Sequence, residues 1–396
     1  MKQIYHECWR QMRDFFYDPN LHGVDWIALR NRYETLLPNV RHRADLSYVI
    51  GELIGELNAG HAYVGGGDLP VVRKIPLGQL GAKLEKHAPS GYVKITRILE
   101  GSTWEPGLAS PLAAPGVNAK VGDYLIAIDN KPVNEMASPY QALVNKVGKP
   151  VVIKINSKPE ANGAREVVIV PIDNEGPLYY RDWVEKNRKR IDEATKGKVG
   201  YIHVPDMMQA GLNEFARQFY PQLKKSALII DMRGNGGGNV SPMLIERLRR
   251  EIAMIGIARG TPPSVDPRGM MHGPMVCLMN EFSASDGDLF PYRFRQHKLG
   301  KLIGKRSWGG VIGIRGTLPL LDGGTLNKPE FSRYDIEGKE WIIEGKGVTP
   351  DIIVDNDPAI EYGGKDQQLE RAIEEILNEL KTKEKKLPPP PPFPKR

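Results

Sequence analysis

The sequence predicts a multidomain protein of α+β and α/β type: an N-terminal helical segment, a β-rich middle domain, and a larger α/β domain with a βα crossover sheet. Three observations carry this reading. Apolar residues recur at helical spacing through residues 1–65, short alternating strands between Gly- and Pro-rich turns fill residues 72–173, and apolar strand runs interleave with helices after residue 175. A length of 396 residues, at about 150 per domain, suits two or three such units. The boundaries drawn are 1–70, 71–174, 175–380, and a Pro-rich tail over 381–396.

In the first segment, Tyr5, Trp9, Met12 and Phe16 form one helical stripe and Trp26, Leu29, Tyr33 and Leu36 a second. Pro38 and Asp45 precede a third helix, Leu46–Leu57, which ends in Asn58-Ala59-Gly60-His61 before the breaker Gly65-Gly66-Gly67. The middle segment places strands at Tyr92–Ile98, Tyr124–Ile128 and Val151–Ile155. In the third, Val199–Val204, Ala227–Asp231 and Met275–Met279 read as buried strands, Ser241–Ile255 as a helix, and a further helix starts near Ser285. The terminal KLPPPPPPFPKR reads as an extended polyproline tail.

Composition narrows the function classes. Hydrophobic residues at 40% and charged residues at 26% argue against a mostly disordered chain or an integral membrane protein. The net charge of +7 is dispersed, and the basic stretches at Glu185–Arg190 and from Lys381 have no stacking aromatics beside them, so no nucleic-acid partner is expected. Two cysteines, Cys8 and Cys277, cannot build a disulfide framework, and Cys277 lies in an apolar run where a buried thiol is the default. The N-terminus carries charges throughout, unlike a signal peptide or a membrane span. Read from Met1, it predicts a cytoplasmic protein with no membrane partner.

Two loops bear on chemistry. Asp231-Met232-Arg233-Gly234-Asn235-Gly236-Gly237-Gly238 lies between a strand and a helix, so its glycines let backbone N–H groups approach an anion or a developing oxyanion. It lacks the Gly-Lys-Ser/Thr end of a phosphate loop. Asn280-Glu281-Phe282-Ser283-Ala284-Ser285-Asp286-Gly287-Asp288 has the same placement, which suits a projecting nucleophilic hydroxyl at Ser285 and equally a helix N-cap there. His203 reads as a structural histidine, and no His, Cys and carboxylate residues have metal-ligand spacing.

Gly122-Asp123-Tyr124-Leu125-Ile126-Ala127-Ile128-Asp129-Asn130 resembles the core signature of a PDZ domain, a module that captures peptides by strand addition. DMRGNGGG, SASDGD and Glu344-Gly345-Lys346-Gly347-Val348-Thr349-Pro350-Asp351, in that order, resemble the serine peptidases of the tail-specific and tricorn group. Gly200–Met207 and Trp308–Ile314 point to the tricorn branch. By this resemblance Ser285 matches the nucleophile, His61 the general base, Gly238 and Asp286 the oxyanion-hole amides, and Glu344 the carboxylate that completes the relay. The resemblance implies peptide substrates, no cofactor or metal, and a homo-oligomer, a hexamer in the family pattern.

The chain departs from the family at three places. Gly60 stands where a relay serine precedes the base histidine, so activity is expected to be impaired or altered. Gly256 stands where the family archetype has an acidic specificity residue, and its apolar neighbours predict tolerance of hydrophobic side chains. The two β-propellers that usually precede this region are not in the sequence, as for a shortened form or a piece of a longer chain. Two alternatives to the Ser-His-Glu peptidase stay open: a non-catalytic peptide-binding protein, and a Ser–Lys peptidase. The second is disfavoured because Gly310 occupies the lysine position and only Lys305 lies nearby.

Overall fold

In the computed structural model, which describes residues 1–102, 105, 107–316, 318–383 and 386–395, the chain divides into two units: Met1–Pro70 with Arg188–Arg396, and Val71–Asn187. The first opens with three helices, α1 (Lys2–Phe15), α2 (Trp26–Glu34) and α3 (Arg43–Gly55), followed by the short strand β1 (Tyr63–Gly65). The helical stripes close on one another as Tyr5, Trp9, Met12, Trp26, Leu46, Ile50 and Leu53 bury in a single cluster. The third helix begins at Arg43 rather than Leu46. His42 and Asp45 form a capping box there, with the Asp45 carboxylate accepting the backbone N–H groups of Arg41 and His42.

The second unit is an antiparallel sheet of β2 (Ala82–Lys86), β3 (Val93–Ile98), β4 (Tyr124–Ile128), β5 (Lys131–Pro132), β6 (Val151–Asn156) and β7 (Arg165–Ile169). The strand order is β2-β3-β4-β6-β7, with β5 paired to β4. Alternate residues Val151, Ile153 and Ile155 face inward onto Leu80, Ile95, Leu125 and Leu143. The hairpin from β4 to β5 turns through Asp129 and Asn130, both at positive φ, the geometry of a two-residue primed turn. Helix α4 (Gly176–Thr195) follows.

The remainder of the first unit alternates strands and helices: β8 (Val199–His203), α5 (Gln209–Phe219), β9 (Ala227–Asp231) and α6 (Ser241–Leu248). A hairpin, β10 (Met254–Gly256) and β11 (Ser264–Asp266), precedes β12 (Met275–Met279), α7 (Asp286–Gln296) and β13 (Gly300–Gly304). The chain then forms β14 (Thr325–Asn327), β15 (Ile352–Ile353), α8 (Pro358–Tyr362) and α9 (Gln367–Lys383). Five strands form an all-parallel sheet in the order β15-β13-β12-β9-β8. Its strands β8, β9 and β12, the first of them at the sheet's edge, are buried at every residue, as a sheet covered on both faces requires.

One expected element is shorter than the sequence implies. The helix expected over Ser241–Ile255 ends at Leu248, because its buried positions Ser241, Leu244, Ile245 and Leu248 are used up in two turns. Met254–Gly256 pairs instead with Ser264–Asp266 as an antiparallel ribbon. Within the Lys- and Pro-rich end, Glu384, Lys385 and Arg396 lie outside the described residues.

Candidate active site

Both chemistry-bearing loops leave the C-terminal ends of adjacent parallel strands. The glycine-rich loop follows β9 and the serine loop follows β12, and β9 and β12 are hydrogen-bonded neighbours. Open α/β sheets place their ligand sites at this end. Ser285 sits between β12 and α7 at φ 58° and ψ −120°, a strained strand-to-helix turn that lifts its side chain out of the helix, and its hydroxyl caps nothing.

The shell beneath Ser285 is densely tied. The Ser283 hydroxyl donates to the Met232 carbonyl at 2.9 Å, and the Ala284 N–H donates to the Asn235 carbonyl at 2.8 Å. Buried Asn235 also donates its side-chain amide to the Val204 carbonyl and accepts the Gly237 N–H. The Asp286 carboxylate accepts the Ser241 N–H at 2.8 Å, the Ser241 hydroxyl at 2.6 Å and the Arg293 guanidinium at 3.1 Å, locking the start of α7 to the start of α6. Two glycines are required by close approach. A Cβ on Gly237 would lie 2.6 Å from the Ser285 Cβ, and one on Gly238, at φ +147°, would lie 2.0 Å from the Met207 carbonyl oxygen. Among the described residues, the backbone N–H groups of Gly238 and Asp286 donate to no protein acceptor.

His61 comes from the other end of the chain. It follows α3, at φ 62°, and β1 holds it by antiparallel pairing with β14. Buried Arg43 on α3 adds a tie, with Nε 2.5 Å from the Asp322 carboxylate. The imidazole packs edge-on to the Trp308 indole, with ring centroids 5.7 Å apart. Burial lowers its pKa, opposed by the charge of Glu344. The Glu344 carboxylate accepts three backbone N–H groups, from Gly60 at 2.7 Å, Val311 at 2.6 Å and Ile312 at 2.9 Å. Among the described residues, buried His61 Nδ1 has no hydrogen-bond partner, and no hydrogen bond joins Ser285 to His61.

Two clefts meet at the pair. One, of about 650 Å³, is lined by His61, Ser285, Gly238, Asp286, Phe331 and Arg333 among others. The other, of about 430 Å³, is lined by His61, Ser285, Tyr63, Phe282 and Trp308 among others. The arrangement offers a hydroxyl, an imidazole, and two free amides beside one groove, the components of acyl transfer. Among the described residues, no group of three or more His, Cys, Asp or Glu side chains is arranged to hold a metal ion, and no helix is long and apolar enough to cross a membrane.

Comparison with known proteins agrees with this layout. Residues 1–55 match the model described as "Tricorn protease C1 domain", residues 78–174 "Tricorn protease PDZ domain", and residues 198–354 "Peptidase family S41". The chain is 36% identical to the tricorn protease of Thermoplasma volcanium over 98% of its own length, and 36% identical to tricorn protease homolog 1 of Streptomyces coelicolor, also over 98%. It superposes on a crystal structure of the tricorn protease with a TM-score of 0.89, at 32% identity over 96% of its length. The chain belongs to the tricorn branch of peptidase family S41. It spans 36–37% of these proteins' own lengths and corresponds to their C-terminal part.

Against that family frame, the structure brings Ser285, His61, Gly238 and Asp286 to one cleft, with Glu344 one backbone step behind the histidine at Gly60. Lys305 stands apart, its ammonium 2.7 Å from Glu281 and 3.1 Å from Asp355. These carboxylates raise its pKa, the wrong direction for a base. His203 is buried in β8, with Nε2 2.9 Å from the Arg233 carbonyl oxygen. The Met254–Ile257 stretch, on which the expectation of hydrophobic tolerance rested, is not among the described residues lining the clefts at Ser285. Gly256 lies in the exposed β10–β11 ribbon and borders neither cleft at Ser285.

Sequence reasoning missed four features. Trp308 packs edge-on against His61, Ser241 and Arg293 hold the Asp286 side chain, Arg333 lines the larger cleft, and Asp288 lies buried one helical turn after Ser285. Burial pushes the Asp288 carboxyl up to about 6, and its Oδ1 accepts the Gly309 N–H at 2.7 Å. For Asp288 a signal existed, since it falls in the quoted serine loop. Arg333 lies in an irregular stretch with no periodicity to mark it.

Proposed function

We propose that this chain is a serine peptidase unit that hydrolyses peptides through an acyl-enzyme. Ser285 Oγ attacks the scissile carbonyl carbon while His61 Nε2 takes the hydroxyl proton. The resulting oxyanion is held by the N–H groups of Gly238 and Asp286. Its collapse breaks the C–N bond, and His61 returns the proton to the leaving amine. Water then attacks the ester by the same route in reverse, releasing the acid and restoring Ser285. Glu344 biases His61 toward accepting the proton through its charge, without a direct bond. The observation that carries this reading is the pair of unengaged amides beside a strained, uncapped serine in the cleft that also holds His61.

One observation favours a second reading, a non-catalytic peptide-binding role: His61 Nδ1 has no protein partner to fix the ring. A serine-directed phosphonate separates the two. The peptidase reading expects a covalent adduct mapped to Ser285 that disappears in His61→Ala. Peptide binding with no adduct sinks the peptidase reading, and an adduct that survives His61→Ala but is lost with Lys305→Ala points to a Ser–Lys pair.

A further inference from the structure

The two clefts at Ser285 differ in charge. In the smaller one, the one carboxylate among the described lining residues is Glu281, already engaged by Lys305 at 2.7 Å. The larger cleft holds two arginines. Arg315 is exposed and lies 3.3 Å from the Glu330 carboxylate. Arg333 is half-buried and, among the described residues, has no carboxylate within ion-pair distance. Its side chain donates one hydrogen bond, from Nη1 to the Val311 carbonyl oxygen at 3.2 Å, and its guanidinium carbon lies 5.2 Å from the centre of the Phe331 ring.

The acid nearest in effect, Asp286, has both oxygens engaged by Ser241 and Arg293. Burial and the like charge of Arg293 work against the Arg333 cation, yet a guanidinium keeps its proton in proteins. A cation is therefore held in a cleft walled by Leu289, Val311, Ile314 and Phe331 with no counter-charge of its own. The backbone helps fix it there. Phe331 pairs with Gly313 and the Arg333 carbonyl accepts the Ile342 N–H, while the guanidinium lies over the Phe331 ring and both side chains line the cleft.

Resting on the peptidase reading above, we propose that Arg333 is a specificity residue that binds a carboxylate of the substrate beside the scissile bond, so that peptides carrying Glu or Asp at that position are preferred. The planar fork can take both oxygens of a carboxylate, while the apolar walls suit the methylene stem of Glu. The same chemistry would be met by a peptide's free C-terminal carboxylate. The side-chain source is favoured because the cleft that holds Arg333 also holds the Gly238 and Asp286 amides, where the attacked residue's own carbonyl would sit.

The test uses peptides blocked at both ends and identical except for Glu, Gln, Leu or Lys at the attacked residue. In the wild type, kcat/KM for Glu should exceed that for Gln by about tenfold to a hundredfold, the range of a charge-assisted hydrogen bond. Arg333→Gln should bring that ratio close to one, and Arg333→Lys should restore part of it. The ratio is taken within each variant, so a general loss of structure does not imitate the effect. A wild-type ratio near one, or a ratio unchanged by Arg333→Gln, overturns the proposal.

A second peptide set, neutral at the attacked residue, ends just after the bond in a free carboxylate or an amide. Arg333-dependent preference for the free acid there, without Glu preference in the first set, overturns the side-chain source in favour of the chain end. Calorimetric binding of the Glu and Gln peptides to Ser285→Ala protein gives a readout independent of turnover. If nothing is cleaved but Glu binds more tightly in an Arg333-dependent way, the hydrolytic reading fails and the carboxylate site stands. Equal binding of the two peptides overturns the site itself.

Discussion

The two sides of the cleft are held to different degrees. On the nucleophile side, Ser283, Ala284, Asn235, Gly237 and Asp286 tie the serine loop to the glycine-rich loop and to α6 through buried hydrogen bonds. On the base side, His61 rests against Trp308, and its Nδ1 meets no protein acceptor. Glu344 is well held, but by backbone N–H groups and not by the imidazole. Stabilisation of an oxyanion depends on donors already in place, whereas proton transfer depends on the base keeping its direction. Under the proposed mechanism, the first requirement is met by more hydrogen bonds than the second.

The largest expected effect tests whether the base side contributes at all. Ser285→Ala should lower kcat/KM by about a thousandfold or more, and His61→Ala by a similar factor, measured on one blocked peptide. A His61→Ala loss below about tenfold would show that the ring is too loosely held to act as the base. The next effect probes the nucleophile side through stability. Asp286→Ala removes a buried carboxylate, leaving the Ser241 N–H without its acceptor and Arg293 without its counter-charge, so unfolding free energy should fall by about 3 kcal/mol. A chemical-denaturation midpoint that does not move would mean that the two helix starts are held without it.

The same contrast explains what could be read in the sequence. The strands of the parallel sheet follow from continuous apolar runs, the antiparallel middle sheet from alternation, and the N-terminal helices from apolar residues three or four apart. The serine and glycine loops were legible because their residue types are unusual between a strand and a helix. His61 lies more than two hundred residues upstream of Ser285, and only the family resemblance linked the two. In the structure, the pairing of β1 with β14 and the Arg43–Asp322 bond hold His61 in place. The overlong helix at Ser241–Ile255 arose because Met254-Ile255-Gly256 continues an apolar pattern that the fold uses for a ribbon. Arg333 left no mark, since an arginine in an irregular segment reads as surface charge until the fold shows what it faces.

A smaller effect concerns the charge behind the base. Burial holds the His61 pKa below its ordinary value of about 6.5, and Glu344 partly opposes this. His61 must be neutral to take a proton, so activity should be present above the depressed value and fall as pH drops through it. Glu344→Gln removes the opposing charge, which should move the acid limb of kcat/KM to lower pH and reduce the plateau by about tenfold. A shift of the limb to higher pH would contradict the placement of Glu344. Stability follows the same sign. The contribution of a histidine held neutral by the fold is present above its unfolded pKa and lost as pH falls through the folded one.

The smallest effect goes to the gap itself. A Cβ built on Gly60 lies 3.0 Å from Glu344 Oε1 and 3.0 Å from the Gly310 Cα, so Gly60→Ser needs the Gly310 backbone to give by a few tenths of an ångström. The serine keeps the N–H that Glu344 now accepts, and it adds a hydroxyl between that carboxylate and the ring whose Nδ1 lacks a partner. A better-directed imidazole should raise kcat by about threefold, with little change in KM, at the cost of a slightly lower melting temperature from the crowding. In a Glu344→Gln background the gain should vanish, because the hydroxyl then has no anion to orient it. If folded Gly60→Ser protein turns over no faster, the Gly60 N–H to Glu344 is already a sufficient link, and the difference between the two sides of the cleft is one of hydrogen-bond count rather than of catalytic power.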